Sequence, residues 1–418
     1  ATVISGEYSG ISNLTVPSSV VFDGTNYSVI GVGSRAFYNL NSLRTVMIEN
    51  GIESIGNYAF RYCHNLTSAK LPESITAIGK EAFASCDRLD TISIPKNVVT
   101  IGRSAFESCK MKELVIPAST ISIGENAFYN VTLSSIKVES GNTYYDSRNN
   151  CNALIETASN KLIKGSASTI IPNNVVEIGN HAFYNLSNLA SISIPSSINA
   201  IRYGAFMNSG ITSIYIPSSV TTIENEILFG CNLLTSVKVD SNNSVYDSRN
   251  DCNAIIEKNN DKLISGCNKT VIPRSVKIIG SNSFRGFSGL DSLKIPYGVT
   301  SLEYSAFSYN DMRYVEIPNS VKSIGSWMFE GSHDLVSIVS KIKNPSEVNT
   351  NSSAFAGGYW YNGSYISLVE NVTLYVPKGT KDLYSQLEPW SNFTNIVEMD
   401  GEQLIAPTLS YDGRAITA

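Results

Sequence analysis

The stretch "LDTISIPKNVVTIGRSAFESCKMKELVIP" at residues 89–117 contains one complete unit of a pattern that recurs along the 418-residue chain. The unit consists of a strand-like "ISIP", an apolar step, a glycine and an Ala-Phe pair. Ile92 and Ile94 point to one side of the strand and Thr91 and Ser93 to the other, because side chains alternate along a strand. Proline ends the strand, since it fixes φ and has no N–H. Each repeat therefore predicts one strand, a glycine bend and a short helical turn that carries Ala-Phe.

A phenylalanine marks the same point of each repeat. Within its regular runs it recurs at intervals of 22 or 23 residues. The series comprises Phe37, Phe60, Phe83, Phe106, Phe128, Phe183, Phe206, Phe284, Phe307, Phe329 and Phe355, with Leu228 in the equivalent position. Stacked coils place these side chains in one internal column and bury a core that a single unit could not form. The period therefore predicts a solenoid.

The two-part motif, "IxIP" followed by "IGxxAF", resembles the BspA-like subclass of leucine-rich repeats, found largely on bacterial surfaces. The resemblance covers about residues 11–398. The sequence departs from this motif at a few places. Arg202, Glu224 and Glu303 replace the glycine of "IGxxAF", called the frame glycine, and Ile227-Leu228 replaces its Ala-Phe pair. The resemblance implies an α/β solenoid, a right-handed leucine-rich repeat superhelix of 22–23-residue coils with one β-strand per coil on the concave face. It also implies secretion and surface display.

Two insertions interrupt the period. The stretch "DSRNNCNALIE" at 146–156 returns as "DSRNDCNAIIE" at 247–257, a displacement of 101 residues. In each copy two short apolar runs flank a polar turn, which predicts a β-hairpin. Asp, Asn and Ser oxygens in these stretches allow a calcium site or a partner contact, although Asx-type turns explain the composition without a ligand. A duplication of about 101 residues explains why two such insertions occupy equivalent positions.

These features divide the chain into four predicted regions. Residues 1–32 form an N-terminal cap and first coil, and 33–356 form the solenoid, with hairpin segments at about 139–170 and 240–271. Residues 357–399 form an irregular last coil and C-terminal cap, in which Trp390 is expected to cover the last coil. Residues 400–418 are interpreted as a linker and the start of a missing domain.

The seven cysteines predict no metal or redox site. Cys63, Cys86, Cys109 and Cys231 each follow the frame phenylalanine or its leucine substitute by three residues, and this position holds apolar residues in other coils. We interpret them as inert core thiols. A disulfide between Cys252 and Cys267 is possible, since a turn centred on Asn259-Asn260 places the two opposite each other at the base of the second hairpin.

Composition and motif content exclude several classes of protein. The net charge of −5 provides no basic surface for nucleic acid, and no apolar run is long enough to insert into a membrane. The three histidines lie in different coils without a nucleophile in a recognisable context, so we predict no enzyme, no cofactor and no metal.

Candidate ligand-binding residues lie on the outward face of the predicted strands and near the C-terminal cap. On the strands, a column of small hydroxyl residues is interrupted by Tyr314, and the neighbouring column varies more in residue type. This selects Tyr215, Lys238, Lys294, Tyr314 and Glu316 as a concave contact surface. In "GGYWYNGSY" (357–365), Tyr359, Trp360 and Tyr361 form either an aromatic platform for a sugar ring or protein anchor, or part of the cap.

The sequence thus favours a non-catalytic, secreted or cell-surface leucine-rich repeat protein that binds an extracellular protein or glycan as a monomer. Adhesion or host interaction is the setting that the family resemblance implies. The alternatives are a rigid spacer that presents another domain and, more remotely, a polysaccharide hydrolase.

Overall fold

A computed structural model describes residues 1–4, 6, 8–290, 293–361 and 364–399. The chain divides into two units. The first comprises Ala1–Ile211 with Thr222–Ile227, and the second comprises Thr212–Thr221 with the chain from Leu228 onward. In each unit short parallel strands from successive coils stack into ladders, with little helix, so the predicted solenoid architecture is confirmed. The predicted linker at 400–418 lies outside the described residues.

The first unit contains strands at most "IxIP" positions, with none at "TIIP" (169–172) or "ISIP" (192–195), and short strands ahead of the "IGxxAF" glycines. The long strands are Asn13–Val16, Thr45–Ile48, Ser68–Lys70, Glu113–Ile116 and Ser135–Val138, and the two-residue strand Thr91–Ile92 stands at the same position of its coil. The short strands are Thr2–Val3, Gly31–Val32, Ser54–Ile55, Ala77–Ile78, Thr100–Ile101, Ser122–Ile123, Glu177–Ile178, Ala200–Ile201 and Thr222–Ile223. An N-terminal hairpin joins Ser19–Phe22 to Thr25–Ser28. The inserted segment contributes Tyr145–Asp146, the 3-10 turn Arg148–Asn150, Ala153–Glu156 and Lys161–Gly165.

The second unit repeats this plan. Its long strands are Ser213–Ile216, Ser236–Val239, Tyr314–Ile317, Ser337–Ser340, Thr373–Val376 and Asn395–Glu398, and its short strands are Ile278–Ile279, Ser301–Leu302 and Ser323–Ile324. The inserted segment comprises Tyr246–Asp247, the 3-10 turn Arg249–Asp251, Ile255–Glu257 and Lys262–Ser265. Near the C-terminus lie a hairpin of Gly358–Tyr361 and Ser364–Ser367, helices Leu368–Asn371 and Lys381–Ser385, and 3-10 turns Pro345–Glu347 and Trp390–Asn392.

The short strands form a second ladder, whereas one strand per coil was predicted. Ile55 pairs with Ile78 and Ile78 with Ile101, in parallel register. The frame glycines follow these strands. Glycine is required at such a position because neighbouring coils approach too closely to leave room for a Cβ atom. A Cβ on Gly102 would lie 2.4 Å from the Lys80 nitrogen, a separation that real Cβ atoms do not reach.

The predicted phenylalanine column is confirmed within each unit. In the first unit, Phe60 and Phe83 stack with ring centroids 5.2 Å apart, and in the second Phe284 and Phe307 stack at 5.5 Å. The predicted helical turn around Ala-Phe is wrong. Tyr58 has a φ of +61°, and the N–H of Phe60 donates to the Ala82 carbonyl of the following coil, so the segment extends the contact between coils instead of forming a helix.

The inserted hairpins are part of the core. Ala153–Glu156 pairs with Lys161–Gly165, which in turn pairs in parallel with the next short strand through Leu162 and Ile178. Leu154 and Leu162 are fully buried. Each hairpin therefore takes the place of a coil in the short-strand ladder.

The expected opposition of Cys252 and Cys267 is wrong, and both thiols are free. A bulge between Ile255 and Ile256 shifts the hairpin register, so that Ile255 faces Ser265. Cys267 consequently lies beside Asn253, with its Sγ 3.5 Å from the Asn253 carbonyl oxygen.

The C-terminal cap closes the core as predicted. Trp390 is fully buried, and its ring lies 4.9 Å from that of Phe355 and 5.1 Å from that of Tyr384. The Tyr384 hydroxyl donates to the Ile342 carbonyl oxygen at 2.8 Å, which satisfies the buried phenol.

Candidate functional site

The long-strand ladder of the second unit is interrupted, as that of the first unit is at "TIIP" (169–172) and "ISIP" (192–195). Two coils, with "TVIP" at 270–273 and "LKIP" at 293–296, carry the strand motif but contribute no strand in the described part of the chain. Within those residues no hydrogen bond reaches the main-chain groups of Ile272, Lys294 or Ile295. The following strand, Tyr314–Ile317, pairs with Ser337–Ser340 on one side, and no other described strand pairs with it.

A groove of about 980 Å³ lies at this interruption. Its lining is mainly apolar and aromatic. The residues that line it are Asn268, Lys269, Thr270, Val271, Ile272, Arg274, Gly289, Leu290, Leu293, Lys294, Ile295, Pro296, Tyr297, Tyr314 and Glu316. Val271 and Tyr297 are 73% and 75% exposed, which is unusual for large apolar and aromatic side chains that lie close together.

Positive charge predominates in the groove. Lys269, Arg274 and Lys294 are exposed, and none of them forms an ion pair with another described residue. Glu316 is the one carboxylate in the lining, and it accepts a hydrogen bond from the Tyr314 hydroxyl at 3.2 Å. Burial and the neighbouring Glu316 carboxylate raise the pKa of Tyr314, so this phenol stays neutral and acts as a donor. The groove in a chain of net charge −5 is therefore locally cationic.

The structure brings together three of the five residues predicted for the strand surface. Lys294, Tyr314 and Glu316 line the groove. Tyr215 and Lys238 lie elsewhere in the second unit, where they face each other across the pair Ser213–Ile216 and Ser236–Val239. Both are exposed, and the Tyr215 hydroxyl donates to Asp240 at 2.7 Å.

The aromatic segment near the C-terminus is a surface hairpin. Trp360 pairs with Tyr365 across the two strands, their rings are 5.7 Å apart, and Trp360 is 72% exposed. Tyr359 is half-buried, and its ring lies 4.5 Å from that of His333. The side chain of Tyr361 is outside what the structure describes. The cap interpretation therefore fails for Trp360, while Tyr359 contacts the preceding coil.

Sequence reasoning missed the other groove residues, including Val271, Tyr297, Lys269 and Arg274. The inserted segment lacks the phenylalanine frame, so its strand positions were not aligned with those of other coils. The signal was the "TVIP" at 270–273, which matches the "IxIP" motif and places Val271 in the outward column beside Lys294 and Glu316.

The Asp/Asn-rich stretches form structural turns, as the ligand-free interpretation predicted. Asp146 accepts hydrogen bonds from the Arg148 main chain at 3.1 Å and from its Nε at 2.8 Å. The Asn152 side-chain oxygen accepts a bond from the Ile136 N–H at 2.6 Å, which satisfies a main-chain donor of the strand Ser135–Val138. Among the described residues there is no group of three or more His, Cys, Asp or Glu side chains arranged to hold a metal ion. None of the helices described above has the length and apolar character needed to cross a bilayer.

Comparison with known proteins identifies a repeat family. A sequence model described as "BspA type Leucine rich repeat region (6 copies)" matches residues 10–134, 163–260 and 255–373, well over half of the chain. No curated protein matches the chain.

Solved structures similar to this chain are bacterial leucine-rich repeat proteins. One is from Bacteroides ovatus, with 20% identity, a TM-score of 0.47 and coverage of 93% of this chain and 92% of that chain. A leucine-rich cell surface protein from Faecalibacterium prausnitzii has 23% identity, a TM-score of 0.46 and coverage of 83% and 91%. The pneumococcal vaccine antigen PcpA has 18% identity, a TM-score of 0.46 and coverage of 96% and 92%.

Proposed function

Because the chain belongs to the BspA-type leucine-rich repeat family, we propose that it is a non-catalytic binding protein, secreted or displayed on a bacterial cell surface. Its ligand is an extracellular protein or glycan, and its setting is adhesion or host interaction. The family resemblance supports the setting, and the groove in the second unit supports a binding role.

The groove is the observation that carries this proposal. Its volume of about 980 Å³ is at the upper end of the range for ligand-binding pockets, which are typically apolar with a few placed polar groups. Buried Leu290, Leu293 and Ile295 supply an apolar base, and Tyr314 with Glu316 supplies oriented polar atoms. The exposed Tyr297 provides an aromatic anchor of the kind that dominates binding energy in interfaces, and the exposed Val271 adds apolar contact area.

An array of extracellular-matrix proteins and glycans tests the proposal. The variant Tyr297→Ser introduces the residue type found 101 positions earlier, at Ser196, and Val271→Ser removes the exposed apolar side chain of the groove. Tyr297→Ser is expected to weaken binding of the array ligands by about tenfold or more, in line with the loss of an aromatic anchor, and Val271→Ser is expected to weaken it by a smaller factor.

Ile170→Ser is the matched control. Ile170 stands 101 residues before Val271 and is equally exposed, but it lies in the first unit and outside the groove. Its replacement should leave binding unchanged. An array on which the wild-type protein captures nothing would contradict the binding function.

A further inference from the structure

Positive charge distinguishes the second copy of the duplicated block from the first. In both copies the two strand motifs that follow the inserted hairpin form no strand in the described part of the chain, at 169–172 and 192–195 in one copy and at 270–273 and 293–296 in the other. Between residues 267 and 305 five lysine or arginine residues stand against two acidic ones, whereas the equivalent residues 166–204 contain one of each. The same local architecture therefore forms with and without this charge, and the fold does not require it.

Three of these cations line the groove. They are Lys269, Arg274 and Lys294, and none of them forms an ion pair with another described residue. Their counterparts, 101 residues earlier, are the uncharged Ser168, Asn173 and Ser193. Exposed, unpaired cations that are concentrated in one groove attract an anionic ligand.

Tyr297 adds an aromatic surface beside these charges. Its ring is 75% exposed and stacks on no other aromatic ring in the described part of the chain, so core packing does not explain it. A fourth cation, Lys277, lies at the same place, since its Nζ is 3.8 Å from a Cβ placed on Gly298. The first copy has Ser196 and Val176 in place of Tyr297 and Lys277. An exposed aromatic ring packs well against the C–H face of a sugar, and the adjacent cations then contact acidic groups of that sugar.

The polar groups of the groove favour an acidic sugar over an acidic peptide. The Tyr314 hydroxyl donates to the Glu316 carboxylate at 3.2 Å, which leaves the other lone pairs of this carboxylate as acceptors in the groove. Sugar hydroxyls donate to such an acceptor, whereas it repels the carboxylates of an acidic peptide and a dense row of sulfates. Residues 293–296 of the preceding coil line the groove beside this pair, so its polar surface consists of side chains and not of a strand edge that would pair with a peptide main chain. A uronic acid fits best, because each ring carries one carboxylate for the cations together with hydroxyls for Glu316.

We propose that the groove binds a polysaccharide rich in uronic acid. Its carboxylates contact Lys269, Arg274 and Lys294, one sugar ring packs on Tyr297, and sugar hydroxyls donate to Glu316. This assignment rests on the proposed binding function and specifies its ligand as a glycan.

The probe is a fluorescent oligogalacturonate, and its binding to the whole chain is measured by fluorescence anisotropy at physiological ionic strength. Three comparison probes separate the features of the ligand. The methyl ester of the same oligosaccharide keeps the rings and hydroxyls without the charge, poly-glutamate keeps the carboxylates without the rings, and dextran sulfate replaces carboxylates by a dense row of sulfates. We expect the oligogalacturonate to bind at least about tenfold more tightly than each of the others.

The variant Lys269→Ser/Arg274→Asn/Lys294→Ser introduces the residues of the first copy, so it uses side chains that this fold already accepts. It is expected to weaken oligogalacturonate binding by about a hundredfold and to flatten its salt dependence, with an unchanged thermal unfolding midpoint. Lys343→Ser is the matched control, because Lys343 is an exposed cation of the second unit that lies outside the groove, and its removal should leave binding unchanged.

Two variants of Tyr297 test the packing of a sugar ring. Tyr297→Ser should weaken oligogalacturonate binding by about tenfold and leave its salt dependence as it is, whereas Tyr297→Phe keeps the ring and should bind like the wild type. Equal affinity for the methyl ester, tighter binding of poly-glutamate or dextran sulfate, or a triple variant that binds like the wild type would overturn the proposal.

The extracellular array separates this proposal from the broader one. Capture of array ligands by the wild-type protein, together with failure of the oligogalacturonate to bind, would reject the uronic acid assignment and leave the binding function intact. A blank array together with failure of the oligogalacturonate would reject both.

Discussion

The Cys86 thiol donates a hydrogen bond to the Phe60 carbonyl oxygen of the preceding coil, with a Sγ–O distance of 3.2 Å. Cys63 and Cys109 make the same contact with Phe37 and Phe83, at 3.1 and 3.3 Å. Ser332 occupies the equivalent position in the second unit and donates to Phe307 at 3.1 Å. In these four coils the position therefore supplies a small buried donor to the coil before it, in addition to the apolar contact that the sequence indicated.

Replacement of Cys86 tests the donor role. Cys86→Ala should lower the free energy of unfolding by about 1–2 kcal/mol, because it removes the buried donor and leaves a small void. Cys86→Ser retains a donor of the kind that Ser332 provides in the second unit, so it should lower the free energy of unfolding by less than the alanine variant does. Urea unfolding followed by circular dichroism provides both values, and a serine variant less stable than the alanine variant would contradict the donor role.

The same thiols should be unreactive in the folded protein. Burial raises the pKa of Cys63 to about 12 and that of Cys252 to about 11, so thiolate is scarce at neutral pH. Because the folded-state pKa values are raised, the protonated thiols stabilise the fold fully below the unfolded-state pKa, near 9, and this stability is lost as the pH rises toward 12. A thiol reagent at pH 7 should label almost none of the seven cysteines before denaturation and all of them afterwards; rapid labelling without denaturant would refute this.

The sequence predicted the parts of the fold that depend on the period, and it failed where neighbouring coils interact. The phenylalanine column and the buried Trp390 follow from spacing and residue type alone. The role of Gly102 could not be predicted, because it depends on the position of the Lys80 main chain in the coil before it. Tyr58 has a positive φ, which tyrosine rarely adopts, so its residue type did not predict this conformation.

The candidate site was predicted in part for the same reason. Lys294, Tyr314 and Glu316 were found because they stand in regular coils whose strand positions align. Val271 was missed because it lies beyond a hairpin whose register depends on a bulge, which the alternation of residues does not encode. The strand motif is intact at 270–273 and 293–296, yet neither segment forms a strand. The missing strands therefore depend on how the coils pack and could not be predicted from the motif.

Gly102→Ala should destabilise the first unit more than an ordinary surface substitution. The added Cβ would lie 2.4 Å from the Lys80 nitrogen and 2.5 Å from the Gly79 carbonyl carbon, both main-chain atoms that cannot move independently. We expect a loss of about 3 kcal/mol or more in the free energy of unfolding, typical of severe overpacking.

Glu303→Ala is the control, since Glu303 replaces the frame glycine in its own coil and already carries a Cβ. This change removes the contact with Lys262 at 2.7 Å and should cost only about 1 kcal/mol, because both side chains are partly exposed. Equal losses for the two variants would show that the close approach at Gly102 is not the cause.

The buried Lys164 in the first hairpin lowers the free energy of unfolding by an amount that depends on pH. Its side chain is 3% exposed, its Nζ has no hydrogen-bond partner among the described residues, and burial lowers its pKa from 10.5 to about 7. Between these pH values the unfolded chain binds a proton that the folded chain does not, so stability rises with pH across this window. Lys164→Met should therefore raise the free energy of unfolding by roughly 4 kcal/mol at pH 6.5, with a gain that shrinks toward pH 10.5.

A neighbouring lysine provides the comparison for Lys164. Lys161 lies in the same strand, but its amine pairs with Glu177 at 2.9 Å and its side chain is partly exposed. Lys161→Met should lower stability slightly. Thermal unfolding of both variants over pH 6–10 measures the effects, and a Lys164→Met variant whose advantage does not change with pH would contradict the burial of an uncharged amine.

Trp360 and Trp390 should respond in opposite ways to truncation, although only 30 residues separate them. Trp390 is fully buried against Phe355 and Tyr384, so Trp390→Ala should cost about 3–5 kcal/mol and lower the unfolding midpoint. Trp360 is 72% exposed and contacts Tyr365 across a surface hairpin, so Trp360→Ala should change stability by less than about 1 kcal/mol. Calorimetry of the two variants, with Trp360→Phe as the conservative control, measures the difference. If Trp360→Ala destabilised the protein as much as Trp390→Ala, Trp360 would belong to the cap after all, and the strand pair Gly358–Tyr361 and Ser364–Ser367 would not present an accessible aromatic surface.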